Sequence, residues 1–392
     1  MKKIIGLIIA SGIIINLFML SVSAQNVNEQ IVTVNNPLQV TVNAKACILM
    51  DANTGKVLTG KNEHEKLFPA SVTKIMTLLL VCEAIDEGKL TLDMEITCSE
   101  SAAAKGGSQI WLEPGEVFTV NDLLKATVVY SANDACCLLG ETISGSEEAF
   151  SELMNKRAKE LGMENTLFVN CTGLDDDTDD HKTTAYDIAL MSKELLSHDI
   201  IRNYTNIWMD TLRNGTTQLV NTNKLIRSYP GATGLKTGTT SKAGCCVSAT
   251  AERDGLELIA VVLGADNSKD RFNGAKALLD WGFSNYEIVS LDADGLYDEI
   301  CKVSHGVLRE ITVTHAEKTD VLLNKGLKDK ISHTVTLLEE IEAPVTKGQK
   351  LGSVVFFVDS QIIGEIDLIS SVNVDRMTMS SALRALFSVW KQ

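Results

Sequence analysis

The chain has 392 residues, is 45% hydrophobic and carries a formal net charge of −15. That length and apolar content suffice for a large core shared between two domains. The acidity excludes the electrostatic footprint of a nucleic-acid binder and otherwise signals solubility.

Lys2 and Lys3 precede an apolar run over 4–20, and Val22-Ser23-Ala24 follows before Gln25. A positive start, an apolar stretch and a small-residue site predict a signal peptide, 1–24, cleaved after Ala24. Because the apolar run is long, a retained membrane anchor is the alternative; either way the body is exported.

Next comes a hairpin over 46–58, turning through Asp51-Ala52-Asn53-Thr54-Gly55. Pro69 opens a helix whose buried side is Ile75, Met76, Leu78, Leu79 and Leu80, and Gly88 ends it. Helical patterns follow over 121–130, 132–143, 151–161 and 184–196, the last with Thr184 and Asp187 spaced for N-capping. Strands over 243–251 and 256–263, joined at Glu252-Arg253-Asp254-Gly255, precede a helix over 271–283. Terminal strands enclosing a helical insertion predict an α/β (α+β) fold, an antiparallel sheet flanked by helices, over 25–286. Short β-rich runs then predict a small all-β domain over 287–370. The tail, 371–392, returns to helical period: Met379, Leu383, Leu386, Phe387 and Trp390 share one face, with Arg384 and Lys391 opposite. That pattern suits an amphipathic helix resting on a membrane surface, the alternative being a helix packed on the protein itself.

Nine cysteines, an odd number, show no CxxC and no Cys/His spacing that reads as zinc. Cys245 and Cys246 sit in a strand pattern and should point to opposite faces. Most are expected to be small buried hydrophobes, and no metal or cofactor is expected. The acidic run Asp175-Asp176-Asp177-Thr178-Asp179-Asp180 lacks the spacing, glycine and final glutamate of an EF-hand and reads as a solvated loop.

Three motifs carry the chemistry: Ser71-Val72-Thr73-Lys74, Ser131-Ala132-Asn133 and Lys236-Thr237-Gly238. Ser71 and Lys74, at i and i+3, share a helix face. A serine hydroxyl needs a base to become a nucleophile, and a lysine serves when burial or a second cation destabilises its ammonium. Lys236 is the candidate second cation. Ser131 and Asn133 would form a polar relay. Lys236 and Thr237, beginning an edge strand, suit a terminal carboxylate, and Gly238 admits a close backbone approach. The amides of Ser71 and Thr239 are the candidate oxyanion pair. Each motif alone admits a structural reading; the ordered set points to acyl transfer.

With these motifs the chain resembles the low-molecular-mass penicillin-binding proteins that are serine-type D-alanyl-D-alanine carboxypeptidases. The likeness extends to Pro114-Gly115-Glu116, Asn165-Thr166-Leu167-Phe168-Val169-Asn170, Gly173-Leu174-Asp175, His181-Lys182-Thr183-Thr184-Ala185-Tyr186-Asp187, Ala343-Pro344-Val345 and Lys347-Gly348. The resemblance implies a peptidoglycan stem peptide ending in D-Ala-D-Ala as substrate, Ser71 as nucleophile and Lys74 as base for acylation. It implies Ser131 and Asn133 as relay and positioning residues, and Lys236 and Thr237 as carboxylate contacts. β-Lactams would trap Ser71, and the tail would anchor the enzyme at the outer face of the membrane. His181 is expected to shape a loop rather than act as a base. Two positions depart from expectation: Ala132 replaces the aspartate of the β-lactamase pattern, and Cys171 precedes Thr172-Gly173-Leu174. Neither is expected to touch the chemistry. A β-lactamase is disfavoured because no E-x-x-L-N-like segment lies between Asn133 and Lys236. A crosslink endopeptidase would use the same motifs, and a β-lactam sensor is the reading from another class.

Overall fold

A computed structural model of the chain describes residues 40–175 and 178–383. The expected signal peptide, Asp176–Asp177 and the end of the tail, 384–392, lie outside them. Residues 379–383 are helical, so the expected amphipathic face is described only at Met379 and Leu383. Among the described residues no helix is long and apolar enough to cross a membrane.

A five-stranded antiparallel sheet organises the first part of the chain, in the spatial order Val57–Lys61, Ala46–Asp51, Leu256–Ala265, Gly244–Arg253 and Ala232–Thr240. The first hairpin thus pairs directly with strands some two hundred residues later, Cys47 facing Val262 and Leu49 facing Ala260. Alternation along the strands divides two cores. Ile48, Met50, Ile259 and Val261 face the helical insertion, while Leu49, Val247, Leu258 and Val262 face the helix Ser268–Asn285. Burial on both faces explains why the strand Leu256–Ala265 reads as a continuous apolar run after Glu257. Cys245 and Cys246 fall into opposite cores, as the strand pattern predicts.

The helix Lys74–Asp86 is buried at ten of its thirteen positions, which suits an element apolar all round and sunk in the insertion. Several boundaries differ from the sequence expectation. Ser71 sits in a 3₁₀ turn, Ala70–Thr73, that runs into this helix. The helix Glu147–Glu160 begins four residues early because Ser146 caps it, accepting from the Ala149 amide. The helix expected over 121–130 ends in a wide π-turn, Ala126–Tyr130. Thr184 caps Ala185–Leu196 through the Asp187 amide, as its spacing predicts.

Beyond Asn285 the chain is β-rich. Tyr286–Leu291 pairs with Thr319–Asn324, and six further strands form a mixed sheet with its own core, including Val313, Val354, Phe356, Ile366 and Leu368. Bridges Val345–Val374 and Gly306–Arg376 carry β-pairing past residue 370.

Candidate active site

The nucleophile turn is shaped by two glycines. Ala70 adopts φ 50°, and Gly173, at φ 86°, packs so closely that an added Cβ would lie 1.9 Å from the Ala70 carbonyl oxygen. Gly238 lies against the other side: a Cβ there would come within 2.8 Å of both the Pro69 oxygen and the Ser71 nitrogen. The edge strand Ala232–Thr240 therefore runs its backbone along the Ser71 amide, the approach Gly238 was expected to allow. Lys236 is the fifth residue of that strand rather than its first, because pairing with Gly244–Arg253 begins at Ala232.

Lys74 is fully buried. Its Nζ stands 3.0 Å from Ser71 Oγ, 2.6 Å from Asn133 Oδ1 and 2.9 Å from the Thr172 carbonyl oxygen. Asn133 cannot turn its amide over without loss, since Nδ2 donates to Gly106 O at 2.7 Å. The two oxygens can only accept, so they take two N–H bonds of Lys74 Nζ and leave the position facing the Ser71 hydroxyl for a third N–H in the ammonium form or for the lone pair in the neutral form. Burial is the leading cause lowering the Lys74 pKa, outweighing Cys136, Cys171 and Asp134, which raise it.

Ser131 sits between the π-turn and the helix Asn133–Ser144 at φ 66°, a left-handed conformation that non-glycine residues rarely adopt. There its Oγ accepts from Lys236 Nζ at 2.8 Å, and Lys236 also donates to the Thr237 carbonyl at 3.0 Å. Lys236, also buried, is held well below the usual lysine pKa by burial first and by the charge of Lys74 second. The repulsion expected to act on Lys74 is thus registered on its partner. Thr237 Oγ1 donates to Thr222 Oγ1 at 2.7 Å, and Thr239 is exposed at the strand's end. The structure brings all eight expected site residues to one sheet edge and the helix ends beside it.

Several supporting groups were not singled out in the sequence. Buried Asp134 accepts from the amides of Ile110, Leu112 and Ala135, holding the loop that supplies Gly106 O and the Ser108 oxygen bound by Asn133 N. Arg271 donates to Gly238 O and Thr239 Oγ1, each at 3.0 Å, fixing the edge strand from behind. Burial lowers its pKa. Asp175 is buried, not solvated, because Thr240 Oγ1 donates to it at 2.5 Å; Asp179 is exposed and pairs with Lys242. Cys171 lies nearer the chemistry than expected: its carbonyl accepts from Thr77 Oγ1, and the next carbonyl holds Lys74. His181 is buried, its Nδ1 accepting from Val169 N while Nε2 faces Thr73 Oγ1 at 2.9 Å; burial lowers its pKa to about 4. That environment fits the expected loop-shaping role. Cys171, Asp175 and His181 were named from the sequence, whereas Asp134 and Arg271 were not singled out, since their partners lie on other elements.

Residues 30–267 match the family model described as D-alanyl-D-alanine carboxypeptidase. The chain belongs to the D-alanyl-D-alanine carboxypeptidase family. Residues 287–376 match the C-terminal domain of penicillin-binding protein 5. The chain is 41% identical over 351 residues to the D-alanyl-D-alanine carboxypeptidase DacF of Bacillus subtilis, covering 88% of this chain and 90% of the relative. Penicillin-binding protein 5 from Haemophilus influenzae superposes with a TM-score of 0.70 at 30% identity, covering 86% and 99%. Penicillin-binding protein D2 from Listeria monocytogenes, in its ampicillin-bound form, gives a TM-score of 0.57 at 33% identity, covering 62% and 99%.

Proposed function

We propose that the protein is a serine-type D-alanyl-D-alanine carboxypeptidase that removes the terminal D-Ala from peptidoglycan stem peptides and that β-lactams acylate it at Ser71. The observation that carries this reading is the placement of Lys74 Nζ, buried between two acceptor oxygens and 3.0 Å from Ser71 Oγ, in a chain of this family. Lys74 takes the Oγ proton as Oγ bonds to the penultimate D-Ala carbonyl carbon. The amides of Ser71 and Thr239 receive the developing oxyanion. The C–N bond breaks, the terminal D-Ala leaves with a proton delivered through Ser131, and water then hydrolyses the ester on Ser71. Asn133 positions the peptide and Lys74 together, while Lys236 and Thr237 bind the terminal carboxylate. The ampicillin-bound relative supports the β-lactam reading.

The same reading places the catalytic domain at 25–286 and the β domain from 287, carried past the expected boundary at 370 to the bridge at Arg376, with the enzyme exported by its leader to the outer face of the membrane. The amphipathic pattern of the tail, 371–392, supports contact with the membrane surface. Release of free D-alanine from a soluble pentapeptide, beside cleavage of a crosslinked muropeptide dimer, tests the activity. D-Alanine from the pentapeptide alone is expected; cleavage of the crosslink without it would make the protein an endopeptidase.

A further inference from the structure

Behind the Lys74 pocket, three successive elements of the helical insertion bring metal-ligating atoms together. They are Cys137 on the helix Asn133–Ser144, Glu147 at the start of the helix Glu147–Glu160, and Cys171 in the loop before Thr172. The two sulfurs and a Glu147 carboxylate oxygen all lie within 4.8 Å of one another. Both thiols are buried. Glu147 Oε1 accepts from the Cys171 thiol at 3.2 Å, and Cys137 Sγ donates to Glu141 Oε1 at 3.5 Å. The remaining Glu147 oxygen is paired with Lys105, and the two side chains are 13% and 24% exposed, so the cluster lies close to solvent there.

We propose that Cys137, Cys171 and Glu147 form a binding site for a soft divalent cation of the zinc or cadmium class. Ligand atoms of a tetrahedral site with ~2.3 Å Zn–S bonds stand roughly 3.5–4 Å apart, so the three groups need only small movements to close on an ion. On binding, each thiol loses its proton to solvent and forms one sulfur–metal bond, with no change of oxidation state. Glu147 binds the ion through Oε1, the oxygen that faces the Cys171 thiol, and keeps Lys105 on its other oxygen, while water takes the fourth position. Two thiolates and the Glu147 carboxylate are balanced by a divalent ion and the neighbouring Lys105 ammonium, and the Glu141 carboxylate beside Cys137 leaves one negative charge over, which favours a cation. Sequence spacing could not reveal such a site, because its ligands converge only through packing. Its position also matters: the Cys171 carbonyl holds Thr77, and the adjacent Thr172 carbonyl holds Lys74.

Cadmium titration of the reduced full chain, read by the ultraviolet sulfur-to-cadmium charge-transfer band, tests the proposal. A band saturating at one equivalent is expected, lost in Cys137→Ser and Cys171→Ser and kept in Cys301→Ser. Glu147→Gln, which leaves both thiols in place should the cysteine variants fail to fold, is expected to weaken binding about tenfold or more. Lys105→Met is expected to tighten it, because a positive charge beside the ion is removed and the Glu147 carboxylate keeps its full charge for the ion. Absence of the band, its full persistence in Cys171→Ser, or unchanged affinity in both Glu147→Gln and Lys105→Met would overturn the site.

Discussion

Asn133 Oδ1 accepts from Lys74 Nζ at 2.6 Å, and the opposite end of the same amide is held by Gly106. The amide is thus oriented so that a neutral acceptor, rather than a charge, faces the lysine. Asn133→Asp would place a carboxylate there. An opposite charge at this distance raises a lysine pKa by about 1–3 units, favouring the ammonium form. Acylation at neutral pH should fall about tenfold or more, and the pH at which activity rises should move upward by about one unit. A pH–rate profile of acylation by a chromogenic β-lactam checks this; an unmoved profile would show that Asn133 does not govern the protonation of Lys74.

Gly238 makes a second, steric prediction. A Cβ at this position meets the Pro69 oxygen and the Ser71 nitrogen at 2.8 Å. Gly238→Ala should push the edge strand away from the nucleophile turn and misplace the candidate oxyanion donors. Loss of one such donor costs about 10²–10³ in kcat. Steady-state kinetics on a pentapeptide should show that fall in kcat, and, because both contacts are backbone atoms that must shift, thermal unfolding should move down as well.

Lys236→Ala removes the Nζ that bonds Ser131 Oγ and leaves Thr237 to bind the substrate carboxylate alone. A hydrogen bond to a charged group contributes about 1.5–3 kcal/mol, so KM for a free-carboxylate substrate should rise roughly 10- to 100-fold. The amide-capped peptide should show a much smaller effect. Equal losses for both substrates would assign Lys236 to the chemical step alone.

His181 links pH to stability. Its pKa falls from 6.5 to about 4 on folding because burial disfavours the imidazolium. Between those values the unfolded chain binds the proton and the folded chain does not, so stability falls as pH drops from above 6.5 toward 4 and levels off below. At 1.36 kcal/mol per unit the full loss is about 3 kcal/mol. Denaturant unfolding of wild type and His181→Gln at pH 7.5 and 4.5 checks it: the wild type should lose more stability than the variant, whatever their difference at pH 7.5.

Much of the site was legible because its chemistry is written in short, ordered segments. Ser71 and Lys74 are neighbours on one face whether the turn is 3₁₀ or α, so the boundary error at Ala70–Thr73 did no harm. The first hairpin and the strands Gly244–Arg253 and Leu256–Ala265 were legible from turn residues and apolar runs. What sequence could not supply was long-range polar pairing. Asp175 looked solvated within an acidic run until Thr240 closed over it, and nothing around Arg271 announces that it holds Gly238 from another element. The start of the edge strand at Ala232 was missed because its first residues carry no alternating pattern; pairing with the next strand defines it.

The most direct measurement is intact-mass and peptide-mapping spectrometry of the chain after brief exposure to benzylpenicillin, wild type beside Ser71→Ala. A single adduct of the drug's mass on the peptide carrying Ser71, absent from the folded Ser71→Ala variant, is the predicted result. An adduct on another residue, or one that survives Ser71→Ala, would contradict the assignment of Ser71 as the nucleophile.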